Sequence, residues 1–307
     1  MNTTFVLDCV LFDVKYQILA KVPSQDVFNK LIAASTFVTI LIIPTILLNG
    51  VAVVTIMKCP QLKEKNAYFL IMVQSLADLA TGFVTLPFFS YVCITQALGT
   101  ADCFRQRLIM SMTSIPFSIS LTTLAVMTID RYMSVLHPLK HRVMVTKRKL
   151  KTFLVSASLF ITVFVVLSLL NTQLLEGFHS IYIFLFLLLA IFVYTKIFIA
   201  IRTRKSPGNV QDTAAKNQNE RKFAKEIKLV KSCFLAVACF LLCFLAGTLV
   251  LLFQRQVDRA EFIALKIFSG SLILLSSSLN SVVFFWTRPL LRNEAFKVVK
   301  KMCTSRT

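Results

Sequence analysis

Asp130-Arg131-Tyr132 stands where a charge-free apolar stretch, about 108–129, gives way to a basic segment. An ionisable triplet thus caps an apolar stretch long enough to span a membrane. Insertion scales put an arginine at the bilayer centre at roughly 2.5 to 3.5 kcal/mol, and at the interface far less, so the triplet is tolerable where it lies. The plainer alternative is an arginine snorkelling from a helix end to the aqueous boundary. A second ionisable group, Asp78, is the only charged residue in its own apolar stretch, within Ser75-Leu76-Ala77-Asp78-Leu79. An isolated carboxylate in hydrocarbon protonates, pairs or binds a cation. Asn49, Ser120, Ser276, Ser277 and Asn280 fall at depths that would bring oxygen ligands around it, and an oxygen-rich cage suits a small hard cation such as sodium. The alternative is a hydrogen-bonded cluster that ties helices together, worth about 0.6 kcal/mol per bond. His137 and His141 fall on one side of the chain's apolar segments and His179 on the other, so no converging metal or nucleophile set exists and no enzyme is expected.

The elements that must hold these groups cross a membrane. Hydrophobic residues make up 56% of 307 residues and the mean hydropathy is +0.74, above the roughly 45 to 50% apolar share of soluble domains. Stretches near 31–57, 67–95, 104–129, 152–175, 180–201, 232–254 and 265–287 are each long enough, at about 1.5 Å per residue, to span a core of about 30 Å. Their apolar runs are continuous rather than alternating, which predicts an all-α bundle of seven spans and not a barrel. An outer tail (1–30) precedes the seven-helix domain (31–288), whose longest polar insert is a cytoplasmic loop at 202–225. After Pro289, residues 289–307 carry Leu290, Leu291, Phe296 and Val299 at helical spacing opposite Arg292, Lys297, Lys300 and Lys301, which predicts a short amphipathic helix on the inner leaflet.

Basic residues resist translocation. They alternate sharply here: Lys58, Lys63 and Lys65, the Lys140–Lys151 cluster, Arg202–Lys231 and Arg288–Arg306 share one side. The other has Lys15, Arg105, Arg107, Arg255 and Arg259 beside Asp13, Asp102, Asp258 and Glu261. The N-terminus is therefore expected outside and the C-terminus in the cytoplasm of a multi-pass plasma-membrane protein. Residues 1–30 show no basic segment followed by an apolar one, so no cleaved signal is expected. The net charge of +20 is largely a property of the inner face, where anionic membrane lipids favour Lys and Arg; no nucleic-acid partner is expected. Asn2-Thr3-Thr4 is a glycosylation triplet on the outer tail. Cys9, Cys93 and Cys103 lie near the outer face, where a disulfide is permitted, and Cys59, Cys233 and Cys303 lie near the reducing side. Cys239 and Cys243 suit apolar packing. Cys303, after the basic helix, is a candidate for palmitoylation or a free thiol.

In order and spacing the chain resembles the rhodopsin-like (class A) G-protein-coupled receptors across all seven spans. The matching residues are Asn49, Ser75-Leu76-Ala77-Asp78-Leu79, Asp130-Arg131-Tyr132 with Pro138, Tyr194, Glu226, Phe240, Cys243-Phe244-Leu245-Ala246, Asn280 with Phe284, and the Phe296 helix. The resemblance implies that Arg131 pairs with Asp130 and Glu226 and restrains spans three and six. Agonist outside would then favour a state in which span six swings outward and Arg131 turns toward Tyr194 and a heterotrimeric G protein, with Phe240 and Phe244 in the activation core. It also implies a sodium ion at Asp78, with Ser120, Ser276 and Asn280 as its other ligands; no further cofactor is expected.

The departures are specific. The family's span-four Trp is absent, with Ser158 near that place, and Phe186 stands for the span-five Pro. Phe244 replaces a Trp and Ala246 a Pro, which removes the usual cause of a sharp kink in span six. The family's Asn-Pro-x-x-Tyr reads Asn280-Ser281-Val282-Val283-Phe284. The loop 171–179 has no Cys, so the family's disulfide to the top of span three cannot form; Cys103 is left to pair with Cys9 or Cys93, or to remain free. Thr113 stands where amine receptors carry an Asp, which disfavours monoamines. Phe88, Phe89, Thr113, Ser114 and Phe117 are candidate ligand contacts suited to a lipid, a small apolar molecule or a peptide, or are ordinary packing. With so short a second outer loop, the outer mouth is expected to be open. Competing readings are a receptor-like binder that is non-coupling or constitutively active, and a small transporter or channel, which calls for paired midplane ionisable groups where only Asp78 exists. Lys196 in the lower half of span five suits snorkelling.

Overall fold

In the computed structural model of the protein, the described residues are 6–11, 14–167, 172–203, 213–252 and 257–304. Two strands, β1 (Val6–Leu11) and β2 (Val14–Leu19), precede eleven α-helices. Span one is α1 (Gln25–Lys58), followed by a single turn, α2 (Pro60–Lys63). Span two is α3 (Asn66–Ala80), a π-helical segment at Thr81–Thr85 and α4 (Leu86–Ala97). Span three is α5 (Cys103–Leu136), linked through α6 (Pro138–Met144) to span four, α7 (Lys147–Leu167). Spans five, six and seven are α8 (Thr172–Thr203), α9 (Thr213–Leu252) and α10 (Arg259–Thr287), and α11 (Pro289–Thr304) closes the chain. Among the described residues, seven helices are long and apolar enough to cross a membrane. A helix satisfies its own backbone polar groups, which is what lets these segments lie in lipid.

Two large apolar cores, and two smaller ones on Val193 and Val165, pack the described bundle. The inner one gathers Leu70, Ile71, Leu121, Leu124, Ala236, Phe240 and Phe284 from spans two, three, six and seven. The outer one joins Leu31, Val38, Leu86, Phe89, Cys93, Ala264 and Ile267 from spans one, two and seven. Between them, spans one and seven are laced by side-chain hydrogen bonds: Thr45 Oγ1 meets Ser278 Oγ at 2.5 Å, and Ser281 donates to Asn49 Oδ1 at 2.5 Å. Spans one and two approach closely at Gly82, where a Cβ would lie 2.9 Å from Ile46 Cγ1.

The outer end corrects two expectations. The segment before span one is shorter than 30 residues and is not a plain tail, for α1 begins at Gln25 and β1 pairs antiparallel with β2, Val6 opposite Leu19 and Cys9 opposite Tyr16. Cys9 bonds to Cys103, at the head of span three, while Cys93 is a buried free thiol in α4. Instead of an open mouth, the outer ends of spans two, three and seven carry the hairpin, with Ile18 and Leu19 buried against them. Leu19 N donates to Gln96 Oε1 at 2.7 Å, giving a strand backbone group a partner on span two. Gly99 makes the close fit practicable: its φ is +65°, and a Cβ there would sit 2.2 Å from the Lys21 carbonyl carbon. Asp102 caps α5 by accepting from Arg105 N at 2.8 Å, and Lys30 meets Glu261 at 2.5 Å, pinning spans one and seven.

The Cys9–Cys103 bridge closes a loop of 94 residues, and cross-links of that reach contribute about 2 to 5 kcal/mol. Cys9→Ser should lower the thermal unfolding midpoint of the purified protein under oxidising conditions. An unchanged midpoint would show that the hairpin adds nothing to the bundle.

Candidate functional site

At the foot of span three, Asp130 and Arg131 are 2% and 3% exposed, so neither is merely a helix-end charge reaching for water. Arg131 Nε donates to Asp130 Oδ2 at 3.1 Å and Nη2 donates to the same oxygen. The other carboxylate oxygen, Oδ1, lies 2.8 Å from His141 Nε2. This second contact exists because Pro138 starts α6 immediately after the His137 cap, folding the inner loop back beneath α5. Asp130 thus accepts from its chain neighbour and from the loop, and both of its oxygens are engaged. Tyr132 packs edge-on to His137 and against Phe192 of span five. Tyr194 stacks edge-on with Phe234 of span six at 5.1 Å, and its hydroxyl is buried near Thr128 and Arg131 with no hydrogen bond of ordinary geometry. Glu226 falls within α9, but its side chain lies outside the described residues.

A second cluster surrounds Asp78 at mid-depth, with no exposure. Gln74 Nε2 donates to both carboxylate oxygens, at 3.4 and 3.3 Å, and to Ser120 Oγ. Ser120 donates to Oδ1 at 3.2 Å and Asn280 Nδ2 to Oδ2 at 3.2 Å. Spans two, three and seven therefore meet on one carboxylate. Ser277, not Ser276, is the span-seven serine within electrostatic reach of Asp78. Ser276 instead donates to the Ile273 carbonyl at 2.7 Å, because one residue on a helix rotates a side chain by roughly 100°. Asn49 stands apart, donating to Thr45 O and Ser277 O. Gln74 Oε1 and Asn280 Oδ1 are buried without hydrogen-bond partners.

Four rings meet on spans three, five and six. Phe240 of span six lies 5.9 Å from Phe117, 5.7 Å and edge-on from Phe186, and 6.3 Å from the nearly parallel Phe244. Spans three, five and six thus touch through aromatic contacts, and Phe186 occupies the place of the absent proline. Of the candidate ligand contacts, Phe117 belongs to this cluster and Phe89 packs against Gly270 of span seven. Phe88 is 46% exposed on the bundle surface. The Thr113 and Ser114 hydroxyls donate to carbonyls of their own helix, Met110 and Ser111. Asn2 lies outside the described residues, as does the side chain of Cys303.

Gln74 and His141 escape sequence reasoning in these roles, whereas Ser277 is among the oxygen groups expected at the depth of Asp78. Gln74 carries a usable signal, one helical turn before Asp78 on the same face. His141 carries none, because its approach to Asp130 depends on the direction of a short loop helix.

Comparison with known families adds two overlapping matches. Residues 48–179 match the family model described as 7 transmembrane receptor (rhodopsin family). Residues 168–293 match that of the serpentine type 7TM GPCR chemoreceptor Srv. No curated protein matches the chain. Matches that between them run from residue 48 to residue 293, on a bundle with seven helices long and apolar enough to cross a membrane, support a receptor of the G-protein-coupled type, similar to the rhodopsin family.

Proposed function

We propose that the protein binds an extracellular ligand and activates a heterotrimeric G protein when the cytoplasmic end of span six moves outward. The observation that carries this reading is the buried Arg131 held on Asp130, itself shared with His141. A guanidinium at 3% exposure with a carboxylate partner is a two-state element: paired and buried, or released and available to a partner at the inner face. Outside, the ligand must bind the released state better by about 1.4 kcal/mol for each tenfold shift in population. The chemoreceptor match favours an external chemical ligand, with a lipid, a small apolar molecule or a peptide as the candidate classes, and Thr113 in place of an acid disfavours a monoamine. The Cys9–Cys103 disulfide, which suits an oxidising side, at the end opposite the basic segments, supports this orientation. We place the N-terminus outside and the chain in the plasma membrane on that ground.

Arg131 is the transducer contact in this reading, and Tyr194 is the hydroxyl it turns toward. Glu226 supplies the span-six half of the restraint. Ser281 and Phe284, in place of the family's Pro and Tyr, favour a second reading in which the protein binds ligand but signals constitutively or not at all. Ligand-free nucleotide exchange on G protein separates the two at matched surface expression. Glu226→Ala should raise the basal rate about three- to tenfold, an interaction of about 0.6 to 1.4 kcal/mol, and Arg131→Ala should abolish exchange. Unchanged basal activity in both would remove the coupling reading.

At Asp78 the residues fit a sodium ion. Its carboxylate has no basic partner among the described residues, and the unpartnered Gln74 Oε1 and Asn280 Oδ1 are oxygen ligands in search of a donor or a cation. Asp78, Ser120, Ser277 and the two amides would hold it, and the ion would supply positive charge that favours the closed bundle. Thermal stability of the purified protein should rise when sodium replaces a bulky organic cation at equal ionic strength, and Asp78→Asn should remove that difference. Equal stability of the wild type in both salts would rule the ion out.

A further inference from the structure

Where α10 passes into α11, Arg288 lies behind span six at 3% exposure. Its Nε donates to Ser232 Oγ at 3.2 Å and its Nη2 to Cys233 Sγ at 3.8 Å, both on span six. The guanidinium carbon is 5.5 Å from the centre of the Tyr68 ring and 5.9 Å from that of Phe284. Nη1 has no hydrogen-bond partner, and no carboxylate among the described residues pairs with this arginine. Arg131 is a like charge within electrostatic reach. Ser232, with no exposure, also accepts from Thr287 Oγ1 at 2.7 Å, so one span-six hydroxyl receives two consecutive residues from the base of span seven.

Two tendencies of opposite sign meet at this point. The hydrogen bonds to Ser232 draw span six onto span seven. The guanidinium cannot shed its proton, and a buried charge is costly unless it is paired and fully hydrogen-bonded. A neutral hydroxyl, a thiol and two ring faces compensate it only in part. Arg131 illustrates the contrast, because it is equally buried but rests on a carboxylate. If span six moves away, Arg288 meets water and its desolvation is relieved.

We propose that Arg288 is a charge stored behind span six and clasped by Ser232, which sets how readily the inner end of span six opens. This rests on the outward movement proposed above and adds a positioning residue to it. The two partners then have opposite effects. Ser232→Ala removes the clasp and leaves the charge, which favours opening. Arg288→Met removes the charge and keeps an unbranched apolar side chain, which favours closure. The double variant follows Arg288→Met, because without the charge the clasp has nothing to hold.

The test uses the full chain in nanodiscs, with no ligand or transducer. Nitroxide-bearing unnatural residues at Glu64 and Lys228, both exposed, report the separation of the inner ends of spans two and six by pulsed electron–electron double resonance. Ser232→Ala should raise the open-to-closed ratio about tenfold, as expected for loss of a hydrogen bond to a charged group. Arg288→Met should lower it below wild type, and the double variant should match Arg288→Met; Arg288→Gln, which keeps a polar tip, provides a second neutral replacement should the first not fold. Opening in Arg288→Met, a double variant as open as Ser232→Ala, or no change in any protein would overturn the proposal. Nucleotide exchange on G protein is measured with the same samples. Exchange with unmoved distances sinks the stored charge and spares the coupling reading; shifted distances without exchange do the reverse.

Discussion

Ionisable side chains buried in this bundle survive only where hydrogen bonds replace the water they have lost, and the rest of the structure is arranged around that constraint. Asp130 is the clearest instance. One of its oxygens takes Arg131 and the other His141, so the foot of span three and the inner loop share a single acceptor. Any partner that draws Arg131 away must leave Asp130 with His141 alone. In the proposed mechanism the carboxylate is therefore both the restraint on the closed state and the point at which it is released. Arg288 obeys the same constraint incompletely, with neutral partners only, and so stands as the least settled charge in the described structure.

The two ends of the bundle are built in different ways. At the outer end a covalent bond fixes the geometry: Cys9–Cys103 and the Leu19–Gln96 contact hold the hairpin across spans two, three and seven. At the inner end the links between helices are hydrogen bonds and ring contacts, such as Thr287 to Ser232 and Tyr194 to Phe234. These can exchange without breaking a covalent bond. Between the ends, Asp78 and the ring cluster on Phe240 join spans two, three, five, six and seven, so a shift of span six at one depth must repack Phe117, Phe186 and Phe244 at another.

Much of this was legible in the sequence because membrane insertion is a coarse requirement. Continuous apolar runs announce the spans, and the depth of Asp78 within its run matches the depths of Ser120 and Asn280. Choices that depend on rotation about a helix were less legible: Ser277 rather than Ser276 reaches Asp78, and Asn49 turns to span seven instead. The hairpin was unread because a short pair of strands gains its stability from the helices it lies on and from Cys9, not from its own pattern. Cys93 looked as available as Cys9, yet its position in α4 buries it within the outer core. Arg288 was hidden by the inner-face excess of basic residues, where one more arginine seemed to need no partner.

The central claim is that Arg131 leaves Asp130 when the inner face opens to a G protein. Its most direct test is the experimental structure of the protein bound to a nucleotide-free heterotrimer. The account predicts Arg131 extended away from Asp130 toward Tyr194, with His141 still on Asp130 and the inner end of span six displaced from Ser232's present place beside Arg288. A heterotrimer docked on an intact Asp130–Arg131 pair, with span six unmoved, would contradict it.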